Sequence, residues 1–405
     1  MIRALAGLAL LASSAAAIAA PTLQIDRVVV VMRHGVRPPT SAMPMAPGIA
    51  ADPWPAWPVP PGWLTPHGAE ESRRLGLSDR AQFVQSGLMS QQGCPAAGTV
   101  RIISDGGDER TVATGESYAL GIAPDCHLPT EHAPTIGQPD PVFSAVHAGA
   151  ATFDPAKADK AIADADGPAV LAAASAEAAP LIARMNAILC GSSTAPCGLH
   201  DDGPLAIKPA TATKAPSLSG ALSNAGSGAQ SLLLEYIDAK PMAEVGWGRA
   251  TAADITALSA LHALKFKLEG RPPYLAARTM AGITPLMRKA LTADEAARVT
   301  VFAGHDSDLV GLGGMLDLHW QAAGFAPDDI PPGSALLVER LHDAAGHRYV
   351  RIAFRSFSLD GIRNLDARDV PARSIVAVPG CKANGLVGLC TLSDFIAKLD
   401  AAQAL

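Results

Sequence analysis

The run Val28 to Thr40, VVVVMRHGVRPPT, constrains this chain more than any other stretch. An unbroken β-branched series stops at Arg33-His34-Gly35, and Arg37 follows with a proline pair behind it. The series is too short to cross a membrane and too β-branched for a good helix, so it reads as a strand buried on both faces of a parallel sheet. The polar cluster then sits at the strand's carboxyl end, where open α/β sheets bind ligands, and Gly35 is expected to let the backbone approach whatever is held there. Two guanidiniums flanking one imidazole crowd positive charge that an anion must relieve. Phosphate is the natural anion, because an arginine fork grips it bidentately.

The same logic recurs in Val299 to Asp317, VTVFAGHDSDLVGLGGMLD. An apolar strand and a glycine lead to His305-Asp306, with a helix expected after Asp308. A third unit runs from a strand at Gly98 to Ser104, through Asp105-Gly106-Gly107, to a helix from Glu109 with Tyr118 and Leu120 on its inner face. Its Asp108-Glu109-Arg110-Thr111 segment offers one more guanidinium at one more strand end.

These three segments resemble the histidine acid phosphatases, the two-domain branch of the histidine phosphatase superfamily, and most of all its bacterial periplasmic phytase and acid phosphatase group. The resemblance implies hydrolysis of phosphomonoesters, phytate among the candidate substrates, through a covalent phosphohistidine. His34 would attack phosphorus, Arg33, Arg37, Arg110 and His305 would surround the equatorial oxygens, and Asp306 would protonate the leaving group and then activate water. It also points to His262 and Arg278 as substrate-pocket positions. Two positions depart from the family pattern: Ser41 stands where phytate-tuned members carry a basic residue, and Asp308 stands where Asn is usual. Both weigh against a preference for phytate. His67 is assigned to a helix cap, and Lys265 and Lys267 to a solvated face. None of the eleven histidines shows metal-ligand spacing, so no metal or cofactor is expected. Rival readings are a glucose-1-phosphatase-like or broad sugar-phosphate phosphatase, a phosphomutase, and a non-catalytic phospholigand-binding protein.

A chain of 405 residues, 49% of them hydrophobic, has room for two domains. A formal charge of −6 and a pI near 6.0 exclude a generic nucleic-acid or anionic-membrane surface, leaving a small phosphorylated substrate as the partner. Arg3, the apolar Ala4 to Ala12 core and Ala17-Ile18-Ala19 read as a secretory leader cut after Ala19. The expected product is a periplasmic or secreted monomer with no membrane attachment. Six cysteines in an exported chain imply an oxidising compartment, and their grouping favours Cys94 with Cys126, Cys190 with Cys197 and Cys381 with Cys390. The resemblance implies the same pairs.

Near Gly149 the sequence becomes alanine-rich, broken by Gly167-Pro168, Pro180 and the Cys190 to Cys197 loop. This marks a helical insert over 149–267, flanked by 20–148 and 268–405. The expected fold is therefore a mainly parallel α/β sheet covered by helices, with a smaller all-α domain inserted. The proline-rich Ser41 to Trp63 stretch reads as a rigid rim, and the site should lie between the two domains.

Overall fold

The structure is a computed structural model that describes residues 23–199, 205–212 and 214–405. The secretory leader expected at the start of the chain, with its cut after Ala19, falls outside the described residues. The valine run forms β1 (Gln24–Arg33), whose last seven residues are buried. Along the chain follow α1 (Pro66–Gln85), β2 (Val100–Ser104), α2 (Glu109–Ile122) and the short β3 (Thr130–Glu131). The alanine-rich region supplies α3 (Pro155–Ala165), α4 (Pro168–Cys190), β4 (Ala206–Lys208), β5 (Ser217–Ser219), α5 (Ala221–Ile237) and α6 (Ala252–Gly270). Then come α7 (Pro273–Thr279), α8 (Ile283–Thr292), β6 (Val299–Gly304), α9 (Asp306–Leu316), β7 (Ala335–His342) and β8 (Arg348–Ser356). The C-terminal part adds α10 (Leu359–Asn364), β9 (Ala372–Val376), a hairpin of β10 (Lys382–Ala383) and β11 (Leu386–Val387), β12 (Cys390–Thr391) and α11 (Leu392–Gln403).

The main sheet has the order β12-β8-β7-β1-β6-β2-β3, with β9 added against β8. β1, β6, β2 and β3 pair in parallel, whereas β7 runs antiparallel to β1 and β8 antiparallel to β7. β8 therefore points with β1, so five of the eight strands run one way and the sheet is mostly parallel. The buried valines sit at its centre because they offer no polar group that needs water on either face.

Several local expectations change. Tyr118 is buried, but Leu120 is exposed, because two residues advance a helix by about 200° and cannot share one face. α1 continues well past Leu75, and α9 starts at Asp306 rather than after Asp308. The helical insert also carries the β4–β5 hairpin, which an all-α reading leaves out; strands of three residues are too short to leave a period in the sequence. Thr65 and Asp154 cap α1 and α3 as their hydroxyl and carboxylate chemistry suggests. The six cysteines are bonded as Cys94–Cys126, Cys190–Cys197 and Cys381–Cys390, with none free.

Helices α1 and α2 pack backbone to backbone. A methyl group at Gly121 would collide with the carbonyl of Arg73, and one at Gly76 with the carbonyl of Tyr118. At an open helical position Gly→Ala stabilises by about 1 kcal/mol. Gly121→Ala is instead expected to destabilise by about 1–3 kcal/mol through overpacking, read as a lower denaturation midpoint at unchanged m-value.

Candidate active site

Backbone register brings the chemistry together. Arg33 on β1 lies opposite Gly304 on β6, and Ser104 on β2 lies opposite Ala303, so three parallel strands end level. The N–H of His34 donates to the Gly304 carbonyl at 2.8 Å, and that of Asp105 to the Ala303 carbonyl at 2.9 Å. His34, His305 and Asp105 are consequently the first residues beyond one sheet edge. The His34 and His305 rings meet edge to face with centroids 5.5 Å apart.

The loop after β1 is clamped from behind. Gly35 does leave room for a close approach, but what fills it is α1: a Cβ there would lie 2.6 Å from the Gly68 carbonyl and 2.8 Å from the Ser72 hydroxyl. Gly35 donates its N–H to Thr114 Oγ1 at 3.1 Å and Val36 donates to Glu71 Oε2 at 3.0 Å, while Thr65 N–H donates to the Val36 carbonyl at 3.0 Å. Burial pushes the Glu71 carboxyl up to about 8 even though Val36 hydrogen-bonds it.

Charge states follow from these neighbours. Burial, then Arg110, Arg37 and Arg33, hold His34 well below the ordinary histidine value, so its ring is neutral. Nδ1–H of that ring donates to the Gly35 carbonyl at 2.8 Å, which leaves Nε2 with a free lone pair. His305 goes the other way: burial alone would lower it, but Asp105 Oδ2 at 3.2 Å from Nδ1 and Asp108 Oδ2 at 3.0 Å from Nε2 raise it to about 9. Arg110 grips Asp108 with two bonds of 2.8 and 2.7 Å, and its Nη2 also lies 2.9 Å from His305 Nε2. Both cations donate to the same Asp108 oxygen, which is why they stand so close. Asp105, Asp108 and His305 could by spacing enclose a cation, but the two imidazole nitrogens are already committed to Asp105 and Asp108, and Asp108 to Arg110 as well. Their bonds make the cluster an ion network.

Asp306 begins α9 with Oδ2 at 3.0 Å from Arg33 Nη2. Burial would raise its pKa, yet Arg33, His262 and His305 outweigh that and keep the carboxyl well below the usual carboxylate range. Arg37 is pushed down to about 9 by burial and by Arg110 and Arg33. Arg33, Arg37 and Asp306 line a cavity of about 240 Å³, together with His262, Gln230 and Lys265. A larger cavity of about 710 Å³ lies between α4 and α5 of the insert, but none of the described residues that line it is ionisable.

Of the residues singled out from sequence, Arg33, His34, Arg37, Arg110, His305, Asp306 and His262 are brought to this region. His262 is buried on α6, with Nδ1 2.6 Å from Asp329 Oδ1 and Nε2 3.9 Å from Asp306 Oδ2. Arg278 is not among them: its guanidinium stacks over Tyr274 and donates to the Gln403 carbonyl at 2.5 Å, tying α7 to the C-terminal helix. Lys265, read as a solvated charge, lines the cavity while paired with Glu269 at 2.8 Å. Gln230, whose Oε1 accepts from Arg33 Nη2 at 3.0 Å, and Asp329 went unnoticed in the sequence. They arrive from α5 and from a loop with no motif around them; only Asp105, placed directly after a buried strand, carried a usable signal.

Residues 24–185 match the model of the histidine phosphatase superfamily, branch 2. The chain is 34% identical over 406 residues to phytase AppA of Escherichia coli K12, covering 94% of this chain and 93% of that protein. It is 28% identical to a glucose-1-phosphatase of Salmonella typhimurium, over 97% of this chain and 96% of the other. Among solved structures, a Hafnia alvei phytase in complex with tartrate superposes with a TM-score of 0.85 at 29% identity, covering 95% of this chain and 98% of that one. With likeness of this kind running along nearly its whole length, the chain belongs to branch 2 of the histidine phosphatase superfamily.

Proposed function

We propose that this protein is an exported phosphomonoester hydrolase of the phytase and acid phosphatase kind, working through a phosphohistidine at His34. One observation carries the reading: a neutral, buried imidazole with a free Nε2 lies among Arg33, Arg37, Arg110 and a charged His305. A neutral nucleophile ringed by fixed cations suits in-line attack on phosphorus, because negative charge spreads over the equatorial oxygens in the transition state. Nε2 forms the new N–P bond while the ester P–O bond breaks. Asp306 gives its proton to the departing alkoxide; as carboxylate it then takes one from the water that cleaves the N–P bond, and phosphate leaves. Export accords with the three disulfides, and no helix among the described residues is long and apolar enough to cross a membrane.

The relatives include both phytases and glucose-1-phosphatases, and the cavity lining favours the second kind of substrate. Beyond Arg33, Arg37 and His262, whose Nδ1 is already taken up by Asp329, the basic residue left on its wall is Lys265, itself paired with Glu269, and Ser41 is neutral. One phosphate finds ample cations there. Several at once do not.

Two measurements test the hydrolase reading. A rapid quench into base is expected to trap phosphate on the chain, whereas His34→Ala traps none and loses turnover by on the order of a thousandfold or more while still binding phosphate. Asp306→Ala should slow hydrolysis by roughly 100- to 10,000-fold, least for 4-nitrophenyl phosphate, whose leaving group needs no proton. Trapping of phosphate in the His34 variant at the normal rate would refute the assignment.

The His305 network gives a pH dependence. Its raised pKa means that the charge, and the stability it contributes, are complete below about 6.5 and are lost as pH rises through about 9. Imidazole NMR signals should show one histidine titrating near 9. In Asp105→Asn that titration should fall by about one unit or more, and phosphate binding should weaken at correspondingly lower pH.

A further inference from the structure

Asp308 takes no part in the chemistry above, yet it lies directly behind it. It is buried in the first turn of α9, two residues after Asp306. One carboxyl oxygen, Oδ2, accepts the His305 backbone N–H at 2.7 Å and so fixes where the imidazole leaves the chain. The other, Oδ1, is buried with no hydrogen-bond partner among the described residues. A carboxylate oxygen out of water and without a donor is costly, and the group escapes that cost by holding a proton. The charged groups facing it are His305 and Asp306 from its own helix start and Asp105 from the end of β2. Burial together with the two carboxylates outweighs His305 and moves the titration of Asp308 up to about 7.

We propose that Asp308 is a positioning residue whose protonation sets the upper pH limit of anion binding in the phosphate cup, an inference that rests on reading the cup as a phosphate site. While it is neutral, the group holds His305 in place without adding charge. Once ionised, it places a further negative charge beside Asp105 and Asp306, against the cations that must hold a dianion. The cost falls on binding, since Asp308 touches none of the reacting atoms. The cup would thus lose its grip on anions near neutrality, well before His305 and Arg37 give up their protons near 9.

Sulfate tests this cleanly, because it is tetrahedral and keeps its charge from acid to alkaline pH. Calorimetric titration of the intact, disulfide-bonded chain should show affinity falling on the order of tenfold through about pH 7. In Asp308→Asn, whose amide oxygen can still accept the His305 N–H, that step should vanish and only the loss near 9 should remain. Should the variant fail to fold, the same titration of the unaltered chain in buffers of different ionisation enthalpy should show proton uptake on sulfate binding just above neutrality. The same step in both proteins, or no proton uptake by the unaltered chain, overturns the proposal and leaves the hydrolase reading intact. Failure to bind sulfate even at acid pH removes the anion site and both readings with it.

Discussion

Crowded positive charge is the constraint on which this structure turns. Arg33, Arg37, Arg110 and His305 are delivered to one place by the register of three strands, not by attraction for one another, and at such separations in a buried site like charges repel by several kcal/mol. Carboxylates make the crowding bearable. Asp306 faces Arg33, Asp108 lies between Arg110 and His305, and Asp105 takes the far nitrogen of His305. Arg37 differs from the rest. Among the described residues no carboxylate lies within ion-pair distance of it, and its Nη1 donates only to the Pro38 carbonyl at 2.9 Å. The charge left uncompensated is therefore concentrated on Arg37, one of the two guanidiniums that line the cavity, which is where an incoming anion gains most.

Holding that arrangement requires a stiff frame. A cationic cup made of flexible loops would spread apart before any anion arrived, and reorganisation would consume the binding energy. Here the segment after β1 is tied to α1 through Glu71 and Gly68 and to α2 through Thr114, while α2 also carries Arg110. The glycine contact between α1 and α2 sets how closely these two supports approach. A buried cluster of Asp79 with Arg355 at 3.0 Å and Tyr118 at 2.8 Å joins α1, α2 and β8. Rigid helices, rather than the sheet alone, fix the angle at which each cation meets the cavity.

Much of this could be read from sequence, because the features involved are local. A buried strand followed at once by polar residues marks both β1 with Arg33-His34 and β6 with His305-Asp306, since strand, turn and helix start are all written in consecutive letters. What could not be read depends on which way a helix faces after packing. Gln230 and Lys265 lie on α5 and α6, whose cavity-facing side is chosen by contacts with distant parts of the chain. Arg278 matched by position yet turns toward Tyr274 and the C-terminal helix, because placement along a helix does not reveal its facing side. Leu120 was misplaced by the same gap between position and rotation, and Gly35 by assuming that what comes near a glycine must be a ligand.

The state of Asp306 shows how such a cup can link proton and substrate. In the proposed chemistry it must begin as an acid, yet Arg33, His262 and His305 hold it ionised before phosphate binds. Those same cations are the ones a phosphate dianion would engage. Each one drawn to phosphate ceases to stabilise the carboxylate, and the phosphate charge itself opposes ionisation, so both effects raise the pKa of Asp306 on binding. A phosphomonoester has its second pKa near about 6, so at acid pH it arrives as a monoanion already carrying a proton. Transfer of that proton to Asp306 would leave the substrate as the dianion that the arginines bind best and the carboxyl as the acid that the leaving group needs. In this proposed chemistry acid conditions would therefore favour turnover through the substrate's own protonation, without requiring that Asp306 be neutral in the resting protein.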